Sequence, residues 1–106
     1  MIARTWHGVV PLKKADEYHD YLLRTGVADC QSTSGNLGVQ VLRRIEADEA
    51  HFLFISFWRS LDDIRAFAGD EVEVARYYPE DREYLLELEP LVTHYDVLTS
   101  LDSGTA

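Results

Sequence analysis

The chain has 106 residues, room for one domain and not two. A composition 46% hydrophobic and 11% aromatic excludes a disordered chain. The formal charge of −9, from 19 acids against 10 bases, argues against nucleic acid and anionic membrane as partners, because both call for a basic surface.

Ile2 to Val10 is rich in β-branched and aromatic residues and ends at Pro11, which predicts a first strand. Its alternation puts Ile2, Arg4, Trp6 and Gly8 on one face and Ala3, Thr5, His7 and Val9 on the other. Lys13 to Thr25 carries Ala15, Tyr18, Leu22 and Thr25 at helical spacing, with Gly26 placed as a C-terminal cap. Residues 28–36 then form a polar connector. Leu37 to Glu46 is the second strand, with Leu37, Val39, Val41, Arg43 and Ile45 on one face, and Asp48-Glu49 mark a hairpin turn. His51 to Trp58 is the third strand, apolar at almost every position. Ser60 caps a short helix that ends at Gly69. Asp70 to Tyr78 is expected to be a further helix stopped by Pro79, followed by an acidic helical segment to Glu89. Leu91 to Leu101 is the last strand, and residues 102–106 are a flexible tail.

The order β-α-β-β-α-β predicts one α+β domain over residues 1–101, ferredoxin-like, with an antiparallel four-stranded sheet and helices on one face. A third strand that does not alternate is expected to be buried on both faces. The helices cover one face only, so a second copy of the sheet is the expected cover, giving a homodimer built as a dimeric α/β barrel. The first and third strands are expected side by side and parallel. That placement gathers Trp6, His7, Trp58 and His94 at one end of the sheet, under Phe67, Tyr77 and Tyr78.

Histidine titrates near neutrality, so His7 and His94 are the candidate proton acceptors, each with an alternative structural role. Trp6 and Trp58 are read either as core or as walls of a flat aromatic pocket. Tyr77 and Tyr78 are read either as helix-end packing or as phenols that bond a substrate oxygen. Arg43, Arg44 and Arg4 are read as ion-paired with the chain's many acids, with substrate binding as the alternative. The paired carboxylates Asp62-Asp63, Asp70-Glu71 and Glu80-Asp81 lie near helix starts and take a structural reading. Cys30 alone forms neither an internal disulfide nor a cysteine metal motif, and no third ligand accompanies the histidines at a recognisable spacing. No metal or cofactor is therefore expected. The sequence shows no stretch of ~20 apolar residues and no signal-peptide core, so a cytoplasmic setting is expected.

Arg4-Thr5-Trp6-His7-Gly8, Phe57-Trp58-Arg59-Ser60 with Phe67-Ala68-Gly69, Tyr77-Tyr78-Pro79-Glu80-Asp81 and His94-Tyr95-Asp96-Val97 together resemble the antibiotic biosynthesis monooxygenase superfamily, over about residues 2–98. The resemblance implies the dimeric α/β barrel. It also implies oxygenation of a small aromatic or phenolic molecule by molecular oxygen without metal or flavin. His7, His94 and Tyr77 would then be catalytic, and Trp6, Trp58, Phe67 and Tyr78 would bind substrate. Haem-degrading members use an asparagine, a tryptophan and a histidine where this chain has Trp6, Phe67 and Tyr77. A non-catalytic barrel that binds a hydrophobic metabolite or serves as an interaction module, and a haem-binding or haem-degrading relative, are the alternatives.

Overall fold

The computed structural model describes residues 1–101; the expected tail, 102–106, lies outside them. Four strands, β1 (Ile2–Pro11), β2 (Asn36–Glu46), β3 (Glu49–Trp58) and β4 (Thr93–Asp96), form one sheet in the order β2-β3-β1-β4. Every neighbouring pair is antiparallel. The helices α1 (Ala15–Leu22), α2 (Ala28–Gln31) and α3 (Leu61–Ala68) belong to the connections between strands. The apolar core joins Tyr18, Tyr21, Leu22 and Ile64 of the helices to Phe52, Phe54 and Trp58 of β3. This is the ferredoxin-like α+β fold that the element order predicts.

The expected parallel pairing of β1 and β3 is overturned. Residues 47 and 48 turn β2 directly into β3, with Ala47 at φ 53°, so those two strands must be antiparallel. A helical crossover makes β2 parallel to β1. β3 inserts between them and therefore opposes both. Trp58 lies opposite Ile2, and His7 lies opposite Leu53.

Three further expectations fail for local reasons. Gly26 does not cap the first helix. The chain continues through a π-helical turn, Leu23–Val27, into α2, where Cys30 is fully buried. Residues 70–78 form no helix. A turn at Val72 and Glu73, closed by Val74 N donating to Glu71 O at 3.0 Å, leads into an isolated bridge between Val74 and Leu91, flanked by Ala75 N donating to Pro90 O at 2.9 Å and Val92 N to Glu73 O at 2.8 Å. The acidic segment forms only a 3-10 turn, Pro79–Glu83, and Leu86 N then docks on Val9 O at 2.9 Å. The last strand is correspondingly short. The Ser60 cap holds as expected, its Oγ accepting from Asp63 N at 3.2 Å.

Burial along β3 alternates. Ala50, Phe52, Phe54, Ser56 and Trp58 are covered by the helices. His51, Leu53, Ile55 and Phe57 face the other way, and Leu53 is 36% exposed within the single chain. Full burial of both faces is thus not reached by one copy. Next to this apolar surface stand Leu42 of β2 and Tyr95 of β4, both exposed.

Gly8 sets the packing of the covered face. A Cβ there would stand 2.2 Å from Trp6 Cη2 and 2.9 Å from Leu85 Cδ2. The indole is rigid and its ring nitrogen is bonded, so it has little room to retreat. Gly8→Ala is expected to destabilise the fold by about 1–3 kcal/mol, the usual range for overpacking. A urea midpoint equal to that of the wild type would show that the indole moves aside freely.

Candidate active-site cleft

One cleft of about 530 Å³, counted with its open mouth, lies between the covered face of the sheet and the layer above it. Trp6 and Phe54 rise from β1 and β3 as its floor, and Tyr18 and Leu22 come from α1. Thr25 and Gly26 of the π-helical turn complete that wall. Such turns interrupt a regular helix and recur at functional sites. Gly26 is needed here, since a Cβ would stand 3.1 Å from Phe54 Cε2. Phe67, Tyr77 and Tyr78 close the far side. Trp6 and Tyr77 meet edge to face, with ring centroids 6.2 Å apart.

The polar groups of the cleft are few, and most are already engaged. Trp6 Nε1 donates to Tyr77 Oη at 3.0 Å, and Tyr77 Oη donates to Glu89 O at 2.5 Å. Tyr78 Oη donates to Asp29, which also pairs with Arg76 at 3.2 Å. Burial holds the phenols of Tyr18, Tyr77 and Tyr78 above their ordinary pKa, so all three stay protonated at neutral pH. Arg76 lies over Phe67 and Tyr78, with its Cζ 4.9 and 5.2 Å from their ring centroids.

Two charged groups stand out. Asp81 is 4% exposed. One carboxyl oxygen accepts from Tyr78 N at 2.6 Å, capping the 3-10 turn. The other has no hydrogen-bond partner among the described residues and is not sealed from solvent. Burial raises the carboxyl above its ordinary pKa, and the Tyr78 N–H opposes this only in part. A carboxylate so placed is a good proton acceptor. Arg4, 5% exposed, donates to Val72 O and, at 3.1 Å, to Val74 O. His94 Nε2 lies 3.1 Å from Arg4 Nη1 and must accept, since a guanidinium has no lone pair to offer.

The cleft brings together Trp6, Phe67, Tyr77 and Tyr78 of the residues singled out in the sequence. The other three are placed elsewhere. Trp58 is fully buried, its Nε1 donating to Ser56 Oγ at 2.8 Å, so it packs in the core and walls nothing. His7 lies on the open face, 2.6 Å from Glu89 and 3.1 Å from His51 Nδ1. His94 sits opposite Arg4, its lone pair spent on that guanidinium. Burial first, and then Arg4, lowers its pKa and keeps it neutral. The expected meeting of His7 and His94 therefore does not occur. They occupy opposite faces, because His94 pairs with Arg4 and His7 stands three residues further along the alternating β1. Arg43 and Arg44 form the expected ion pairs, with Asp16 and Glu46. Arg4 does not.

The sequence reading missed Tyr18, Arg4 and Asp81 as cleft groups. Arg4 shares a strand face with Trp6, which was a usable signal. Asp81 had none, since its burial depends on how the irregular segment docks.

A four-stranded antiparallel sheet with helices on one face and an aromatic cleft beneath them defines a small α+β domain of the ferredoxin-like class. The family model for antibiotic biosynthesis monooxygenase matches residues 10–72, more than half of the chain, and the protein belongs to that family. Among solved structures the chain is similar to a candidate antibiotic biosynthesis monooxygenase from Bacillus cereus, at 14% identity over 96% of this chain and 97% of that one, with a TM-score of 0.67. It is also similar to the haem degrader MhuD from Mycobacterium tuberculosis, with two haems bound in its active site, at 17% identity over 96% of this chain and 100% of that one, with a TM-score of 0.64. Identities this low carry the fold and not the chemistry. No match was found among curated protein sequences. No helix among the described residues is long and apolar enough to cross a membrane.

The raised pKa of Asp81 gives a stability test with a definite sign. A carboxyl whose folded pKa exceeds its unfolded value favours the fold when protonated, and that contribution is lost as pH rises through the folded pKa. Asp81→Asn keeps an acceptor for Tyr78 N–H and removes the charge. Its urea midpoint should match or exceed the wild-type value near neutral pH, with the difference closing below about pH 4. Asp81→Ala should lose about 1 kcal/mol with the cap. An Asn variant weaker than wild type at neutral pH alone would show that the ionised form is not disfavoured.

Proposed function

We propose that the cleft binds a small aromatic or phenolic molecule and that the protein oxygenates it with molecular oxygen. The observation that carries this is a buried carboxyl, Asp81, with one free oxygen in a cleft walled by Trp6, Tyr18, Phe67 and Tyr77. Aromatic walls hold a flat ring and exclude water, which strengthens every polar interaction inside. Asp81 takes the proton from an acidic ring CH2 of an anthrone-like substrate. The resulting carbanion, delocalised as its phenolate, reduces oxygen and forms a C–O bond, and the peroxide anion takes the proton back from Asp81 to become a hydroperoxide. Asp81 then takes the second hydrogen of that carbon as a proton, the O–O bond breaks to leave a C=O group, and the departing hydroxide receives the proton from Asp81 and leaves as water. One oxygen atom enters the substrate and the other leaves as water.

This assigns proton transfer to Asp81 instead of His7 or His94. Tyr77 and Tyr78 shape the cleft through hydrogen bonds to their neighbours, because both hydroxyl protons are already given to protein acceptors. The test is oxygen uptake with anthrones and hydroquinones. Asp81→Asn is expected to slow turnover by about a hundredfold or more while still binding substrate. Unchanged uptake in that variant removes Asp81 from the mechanism. Absence of uptake with any such compound in the wild type removes the oxygenase reading.

The likeness to MhuD raises haem as a second ligand. The cleft residues do not fit it. Among the described residues no histidine, cysteine or methionine lines the cleft, and its phenols are held protonated by burial, which suits iron poorly. A haem titration is expected to show no saturable shift of the Soret band at micromolar protein. A one-to-one saturable shift would reinstate haem.

A second copy of the chain is the cover proposed for the open sheet face. Leu42, Leu53, Ile55 and Phe57 form an apolar surface there, rimmed by His7 and Glu89. Leu53→Asp should convert a sedimenting dimer into a monomer. A wild-type chain that already sediments as a monomer at micromolar concentration would end the barrel proposal.

A further inference from the structure

The charge on Arg4 is not compensated by the protein. A buried guanidinium ordinarily has a carboxylate partner, because the cost of desolvating it is otherwise unmet. No carboxylate lies within 4.0 Å of Arg4 among the described residues, and Glu73 acts on it only through space. The other arginine of the cleft is different, since Arg76 has Asp29. Arg4 is instead held by neutral acceptors, the carbonyls of Val72 and Val74 and the ring of His94. These fix its position and leave its charge.

The donor count agrees. A guanidinium has five N–H groups. Three go to Val72, Val74 and His94, so two, on Nε and Nη2, have no acceptor among the described residues. Nε is not sealed from solvent, since no buried side-chain nitrogen lacks a partner. Arg4 is 5% exposed and lines the cleft beside Trp6, Phe67 and Ser56, with Phe67 6.0 Å from its Cζ. His94 cannot swing in as a base, and it cannot become a second cation without losing its bond to Arg4.

We infer that Arg4 is an anion subsite and that the molecule taken by the cleft is an aromatic carboxylate, its acid group on the free N–H groups of Arg4 and its ring against Trp6 and Phe67. A permanent anion is called for, as opposed to charge that develops only during reaction, because the uncompensated cation is present in the resting protein. This rests on the cleft being the substrate site. It adds that the substrate is an acid, and that Arg4 selects it.

The experiment uses a matched pair of probes, salicylate and salicylamide, which share a ring and a phenol and differ in charge. Isothermal titration calorimetry of the wild-type protein near neutral pH should find salicylate bound about tenfold or more tighter, as expected for hydrogen bonds to a charged group. Equal affinity for acid and amide overturns the inference and leaves the aromatic cleft standing. Binding of neither overturns the cleft reading, and the inference with it. In Arg4→Gln the preference should vanish, with salicylamide still bound; in Arg4→Lys, which keeps the charge, part of it should survive. A preference that persists in Arg4→Gln would place the anion elsewhere. Should Arg4→Gln fail to fold, the wild-type comparison and Arg4→Lys decide alone.

Discussion

The segment from Gly69 to Val92 has little regular structure, and it is held over the sheet by single hydrogen bonds, those of Arg4 together with Trp6 to Tyr77, Tyr78 to Asp29 and Leu86 to Val9. Two carbonyls of that segment, Val72 and Val74, are turned toward the sheet and taken by one guanidinium rising from β1. A helix there would have spent those carbonyls on its own N–H groups. The turn at Val72 and Glu73 leaves them free, and Arg4 collects them. Further along the chain Tyr77 reaches Trp6, Asp81 turns inward, and Leu86 settles on the free edge of β1. The cleft exists because that layer is held a little above the sheet and not pressed into it.

This explains which parts of the molecule the residues disclosed in advance. Period-two alternation in β1 placed Arg4, Trp6 and Gly8 on one face, and the structure agrees, because alternation is a property of the strand alone. The Ser60 cap with Asp63 was equally local. The direction of β1 against β3 was a matter of topology, and a wrong pairing there carried His7, Trp58 and His94 to one imagined corner. The helical reading of residues 70–78 followed from Val72, Ala75 and Tyr78 at helical spacing before Pro79, and that of the next segment from its acidic residues, but a turn at Val72 and Glu73 and the pairing with Pro90–Val92 take those residues instead. The burial of Asp81 was out of reach for a different reason: it comes from contacts between distant segments, and Glu80-Asp81 looks in sequence like any helix start.

The four histidines show how position outweighs residue type. His94 is neutral and committed to Arg4, so it steadies a cation without exchanging protons with a ligand. His7 and His51 join on the opposite face, where Glu89 and Glu49 flank them. Glu89 is shared between the two sides: its side chain meets His7 on the open face, while its carbonyl receives the Tyr77 hydroxyl at the cleft. His19 is exposed on α1. The group able to move a proton in the cleft is thus a carboxyl raised by burial, a change of cast that the residue types alone do not announce.

The overall charge of −9 and the cation at Arg4 act over different distances. At physiological salt the field of exposed carboxylates is largely screened within about 8 Å, whereas a contact inside a buried cleft is screened much less. An anionic ligand is therefore repelled weakly from afar and held strongly at short range. The same walls that bury Arg4 also raise the pKa of Asp81, so one low-dielectric space supplies both the hunger for an anion and the basicity of the carboxylate. Neither property survives without the other's surroundings, and opening the cleft to water would weaken both at once.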